Sequence, residues 1–144
     1  MHTSRTLNEA MTKALSAIHP DNGFITSISH IYKDGEKVPS GAKRPYLLQR
    51  IEHDRRQTRA SVQATRIRTF ALEVVFSHLA SDDELNAVHE DILRALGIGQ
   101  DPFERSFPGM SEEEDEAEYT YPTEGSTNRS ITVLVPVTYV ATYR

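Results

Sequence analysis

Apolar residues recur along this chain with two periods, near 3.6 and at 2, and the switches between them divide it into elements. Leu7, Met11, Ala14, Leu15 and Ile18 fall on one side of a helix. Thr6 and Glu9 have the capping-box arrangement at its start, and His19-Pro20 stops it because the residue before proline avoids the α region. Asp21, Asn22 and Gly23 turn the chain into a β-rich run, Phe24 to Tyr32, with Phe24, Ile28 and Tyr32 expected on one side. After the Asp34-Gly35 turn and a loop over residues 39–44, Tyr46 to Ile51 reads as a strand. From Glu52 to Arg66 little but Val62 can be buried, so a long loop or an extended hairpin tip is expected there. Ile67 to Phe76 alternates cleanly: Phe70, Leu72, Val74 and Phe76 form one face, which must be core.

A second helix begins at Ser81, whose partner in a capping box is Glu84. Asp82 and Asp83 suit the positive end of its dipole, Leu85, Val88, Ile92, Leu93 and Leu96 form its stripe, and Gly97 ends it. Residues 98–128 are poor in apolar side chains and punctuated by proline and glycine, as in an exposed insert. The last strand, Ser130 to Tyr143, alternates again, but Pro136 cannot donate within a ladder and demands a sheet edge or a bulge. The expected fold is one α+β domain over residues 1–144. It has a largely antiparallel, mixed sheet of about four strands with two helices packed on one face, plus long charged loops.

Charge sharpens this picture. The formal net charge is −5, yet residues 43–68 carry eight basic side chains against two acids, while Glu112, Glu113, Glu114, Asp115, Glu116 and Glu118 are six acids in seven residues. The chain therefore carries a basic loop region over 52–66 and an acidic insert over 98–128. The basic stretch is nearly all arginine, which suits a solvated loop, a protein interface or phosphate recognition. No aromatic side chain lies between Glu52 and Arg66 to stack on bases, and the chain as a whole is acidic, which disfavours a free nucleic-acid binder. The acidic run suits a solvated loop, a surface that must not stick to a polyanion, or a docking site for a basic partner.

Chemistry is otherwise sparse. Without cysteine there is no disulfide, thiolate metal site or cysteine nucleophile. The histidines 2, 19, 30, 53, 78 and 89 have no ligand spacing, and no phosphate loop, nucleophile elbow or dinucleotide fingerprint occurs. The expectation is a protein that is not an enzyme, with no catalytic residue, metal or cofactor. No apolar run is long enough to span a bilayer and the N-terminus lacks a signal-peptide core, so no membrane partner is expected and the site of action is the cytoplasm or something assembled there.

The order of pieces resembles the tail terminator (tail completion) proteins of long-tailed bacteriophages. The pieces are a helix ending near residue 18, a strand entered through Tyr46, a long charged loop, the strand Arg68 to Phe76, the helix Asp83 to Gly97, a variable insert, and the terminal strand Ile131 to Tyr139. The likeness covers nearly the whole chain in element order and rests on diffuse pattern rather than an invariant motif. It implies a subunit of a hexameric ring in the virion, at the head-proximal end of the tail, assembled in the host cytoplasm. Such a ring caps the tail tube protein, stops tube polymerisation and offers a surface to a head-side connector protein, while DNA passes through its channel without specific binding. Arg50, Arg55, Arg56, Arg59, Arg66 and Arg68 are then candidates for a subunit or tube interface, and Glu112, Glu113, Glu114, Asp115, Glu116 and Glu118 for a channel wall. The competing readings are another neck or minor tail connector of the same virion, or a nucleic-acid-binding protein using the arginine loop.

Overall fold

The computed structural model describes residues 3–58, 62–100, 107, 109–110, 115–123 and 125–143. Both helices form where the 3.6-residue stripes place them. Helix α1, Leu7–Ser16, buries Leu7, Met11 and Leu15, and helix α2, Asp82–Ala95, buries Leu85, Val88, Asp91 and Ile92. The capping box of α2 is complete: the Ser81 N–H donates to Glu84 Oε2 at 2.7 Å and the Glu84 N–H to Ser81 Oγ at 3.3 Å. Gly97 follows α2 with φ 93°, the left-handed geometry that lets a helix end there at no steric cost. The box expected at α1 is absent. Thr6 occupies the N-cap without capping, because its hydroxyl instead accepts the Thr3 N–H at 3.1 Å.

Five strands, not four, make one sheet in the order β1-β2-β3-β5-β4. They are β1 (Ile31–Lys33), β2 (Tyr46–Arg56), β3 (Gln63–Ser77), β4 (Glu116–Thr120) and β5 (Asn128–Thr142). Only β1 against β2 is parallel. The fold is α+β, with both helices on one face of the sheet. Leu72, Val74, Ile131, Val133 and Val135 are fully buried beneath them, together with Phe70.

Two expectations change, and the choice between a long loop and an extended hairpin tip over 52–66 is decided for the hairpin. The run from Phe24 to Tyr32 is strand only from Ile31, because the backbone N–H groups of Ile25 and Thr26 donate to the fully buried Asp91 carboxylate, at 3.0 and 2.6 Å, rather than to a neighbouring strand. Ile31, paired with Leu47, rather than Tyr32, then packs on the core. The stretch over 52–66 is a hairpin, since β2 continues to Arg56 and β3 starts at Gln63. The insert over 98–128 contains β4, whose Ala117 packs on the core and whose Tyr119 Oη donates to Asn86 of α2 at 2.6 Å.

Pro136 is tolerated inside a fifteen-residue strand for a local reason. The Thr138 N–H points outward to Gly109 O at 2.9 Å, so by alternation the missing donor of Pro136 also faces outward, just beyond Leu134, the last residue of β5 that β4 covers. Ser81→Ala is expected to lower stability by about 1 kcal/mol, as loss of a working N-cap does, while Thr6→Ala changes it by no more than a few tenths. Urea unfolding of both variants checks the contrast; equal losses would show that α1 is capped after all.

Candidate functional site

The arginine-rich hairpin divides into two faces, and a single irregularity sets the division. Ile51 pairs with Phe70 and His53 with Thr69, so the register slips by one residue at Glu52. Such a bulge re-aims every following side chain. Beyond it Asp54 stands opposite Arg68, on the same face as the helices, while His53 and Arg55 stand on the face without helices.

Asp54 gathers its neighbours into a cluster past the end of α1. Arg66 Nε donates to Oδ1 at 2.7 Å, Arg68 Nε to Oδ2 at 2.9 Å, and the nearly buried Tyr139 Oη to Oδ2 at 2.6 Å. The remaining guanidinium donors are also engaged: Arg66 Nη1 with Tyr143 Oη at 3.2 Å and Nη2 with Asp54 O at 3.3 Å, Arg68 Nη1 with Asn8 Oδ1 at 2.9 Å. Burial pushes the Asp54 carboxyl up, but the hydrogen bonds from Tyr139, Arg66 and Arg68 outweigh it and hold the group below the usual carboxylate range. Burial, helped by the bond to Asp54, pushes the Tyr139 phenol up. At neutral pH the cluster is therefore one carboxylate, two guanidiniums and a neutral phenol. Arg66 and Arg68 brace the hairpin.

The other candidate arginines are placed differently. Arg50 reaches Glu73 Oε1 on the helix-free face at 3.3 Å, and Ser130 Oγ donates to the second oxygen of that carboxylate at 3.0 Å. Among the described residues no carboxylate lies within ion-pair distance of the exposed Arg55 or Arg56; the Arg56 guanidinium sits 5.6 Å from the centre of the Tyr143 ring. Arg59 lies outside the described residues.

The acidic run does not act as a unit. Glu112, Glu113 and Glu114 lie outside the described residues. Asp115 turns to the helix side, with Oδ2 3.0 Å from His89 Nε2 on α2. Glu116 and Glu118 pair with Leu134 and Thr132 and stand exposed on the helix-free face.

The helix-free face thus runs from Arg50, His53 and Arg55 on β2, across the small and apolar Thr69, Ala71, Thr132 and Leu134, to Glu116 and Glu118 on β4. Among the described residues no helix packs on it. Neither protein-family models nor curated proteins give a match to the chain. Among the described residues no three His, Cys, Asp or Glu side chains gather as metal ligands. What the arrangement can do is present exposed charge of opposite sign at the two edges of one sheet face, whose central Thr69 and Ala71 are buried.

Asp54, Tyr139 and Tyr143 escaped the sequence reading, although Asp54 is one of only two acids among the arginines of 43–68 and both tyrosines lie on one side of the final strand. Their joint role depends on the bulge, which no residue type announces. Asp54→Asn is expected to lower stability by about 1–2 kcal/mol at pH 7, less than for a fully buried pair because water reaches the cluster. Because the folded pKa lies below the unfolded one, the Asp54 contribution is complete above about pH 4 and is lost as pH falls through the folded value. Denaturation from pH 7 to pH 2 should show the gap between wild type and variant closing on acidification; a gap independent of pH would mean that Asp54 is not the charged centre.

Proposed function

We propose that the chain is a structural subunit of the virion of a long-tailed bacteriophage, forming a ring that caps the tail tube, stops its polymerisation and offers a joining surface to the head side. One observation carries the reading beyond the resemblance in element order: opposite charges stand at opposite edges of the same helix-free sheet face. A ring needs a heterologous contact, in which one patch meets a different patch on the next copy, and this surface supplies both patches. The helices occupy the other face, which suits an outer wall, since a sheet closed around an axis leaves more room outside than inside.

In this reading Glu116 and Glu118 face the channel. Negative charge there repels DNA phosphates, and of the guanidiniums on the same face Arg50 is neutralised by Glu73 and Arg55 is taken up in the subunit or tube contact, so a passing duplex meets few attractive groups. Arg55 and Arg56, at the end of β2, meet the adjacent subunit or the tube protein below, together with Arg59, which follows them in the sequence. Arg66 and Arg68 serve by holding the hairpin straight.

The deciding experiment is imaging of the protein with polymerised tail tubes. Rings at one end of tubes of uniform length are expected, and reversal of Arg55, Arg56 and Arg59 to glutamate should abolish capping at ordinary salt. Capping unchanged by that reversal would remove the hairpin from the interface. Absence of rings, together with a gel-shift titration that weakens steeply with salt, would favour the nucleic-acid reading instead.

A further inference from the structure

The turn between α1 and β1 carries a chemically reactive pair, Asn22-Gly23. Asn22 is the only asparagine of the chain followed by glycine, since Asn8, Asn86 and Asn128 precede Glu9, Ala87 and Arg129. The backbone nitrogen after an asparagine can reach the side-chain Cγ through a five-membered ring, and a glycine there, lacking Cβ, leaves the approach unhindered and the backbone free to adopt it. In that reaction hydroxide takes the proton from the Gly23 nitrogen, the N–Cγ bond forms, the Cγ–Nδ2 bond breaks, and ammonia departs with a proton returned from water. One water then opens the cyclic imide at either carbonyl. The products are aspartate, or isoaspartate with the main chain routed through Cβ and Cγ, and nothing is oxidised or reduced.

Asn22 is exposed, so water and base reach it freely and geometry rather than access governs the rate. A single 3₁₀ turn, Pro20–Asn22, ends at Gly23 with φ 86°. Both reacting groups are held there. The Gly23 N–H, which must lose its proton to attack, donates to Pro20 O at 3.0 Å. Asn22 Nδ2, which must leave, donates to Ala17 O at 2.9 Å, drawing the side chain back to a carbonyl at the end of α1. The residues that follow are tied to α2: Arg94 Nη2 donates to Gly23 O at 3.2 Å, and the Ile25 and Thr26 N–H groups donate to Asp91. We propose that Asn22 is a site of spontaneous deamidation which the folded turn suppresses, and that conversion there loosens the join between α1 and α2. Aspartate lacks the Nδ2 donor and sets a carboxylate against the negative end of α1. Isoaspartate adds a backbone atom between a residue fixed at Ala17 and a strap fixed at Arg94 and Asp91.

This inference is independent of the tail reading. It is tested on the full chain kept at mildly alkaline pH, folded and in urea, with the conversion of each asparagine to acid followed by peptide mapping and mass spectrometry. In urea Asn22 should convert faster than Asn8, Asn86 and Asn128. In the folded chain its conversion should be slower by roughly 10-fold or more, because the turn must open first. Arg94→Ala, which frees Gly23 O, should speed conversion in the folded chain roughly 2- to 10-fold, as loss of one hydrogen bond does, and leave the rate in urea unchanged. Asn22→Asp should lower the folding equilibrium constant roughly 10-fold, and Asn22→Ala, which loses the hydrogen bond without adding charge, by less. Equal rates for Asn22 in the folded chain and in urea, a rate in urea no faster than that of the other asparagines, or a folded rate unmoved by Arg94→Ala would each overturn the suppressed site. An Asn22→Asp chain as stable as wild type would overturn the loosening.

Discussion

The ladder between β3 and β5 is the constraint from which the rest of the molecule follows. Its fifteen residue pairs run without interruption from Gln63 opposite Thr142 to Ser77 opposite Asn128. Strands of that length extend roughly 50 Å. Helices α1 and α2, of 10 and 14 residues, reach only about 15 and 21 Å. Helix packing can therefore cover one end of the ladder, and the other end needs other cover. There the Asp54 cluster takes the place of a helix. Tyr139 contributes apolar ring surface to the core side and a hydroxyl to the carboxylate, while Arg66 and Arg68 close over it from β3.

The same length mismatch leaves edges open. β1 has three residues and β4 has five, each against a much longer neighbour, so neither protects the strand beside it along its whole length. In an isolated monomer such edges are a hazard, usually blunted by charge of whatever sign is at hand. Here the open part of β2 mixes Glu52 and Asp54 with Arg50, Arg55 and Arg56, and β4 carries Glu116 and Glu118.

Elements with a local cause were legible in the sequence. The stripe of α2, its Ser81 and Glu84 box, the Gly97 stop and the core face of Phe70 to Phe76 each follow from residue type and spacing, and all appear as expected. What stayed hidden has non-local causes. Asp91, which reads as an ordinary polar position on a helix, captures two backbone donors from Ile25 and Thr26 and prevents a strand there. β4 is acidic, and its membership of the sheet rests on Ala117, Tyr119 and the partner β5 rather than on its own pattern. The bulge at Glu52 separates braced arginines from exposed ones, and a one-residue slip leaves no mark on composition.

That last point changes what an arginine-rich stretch means. Counting charge over residues 43–68 treats its arginines as equivalent, yet their surroundings divide them. Arg66 and Arg68 share one carboxylate whose oxygens they nearly saturate, so their guanidiniums are committed before any partner arrives. Arg50 is held by Glu73 at the open face, and Arg55 has no described acid in reach. Desolvating a guanidinium at an interface is favourable only if the partner supplies the carboxylate that water or an internal acid supplied before. Arg55 therefore has the most to gain from an acidic neighbour, and the acids Glu116 and Glu118, which are exposed on the same face, are in the same position. Within the molecule the Asp54 cluster commits two of the arginines, and the exposed charge that remains lies at the two sheet edges.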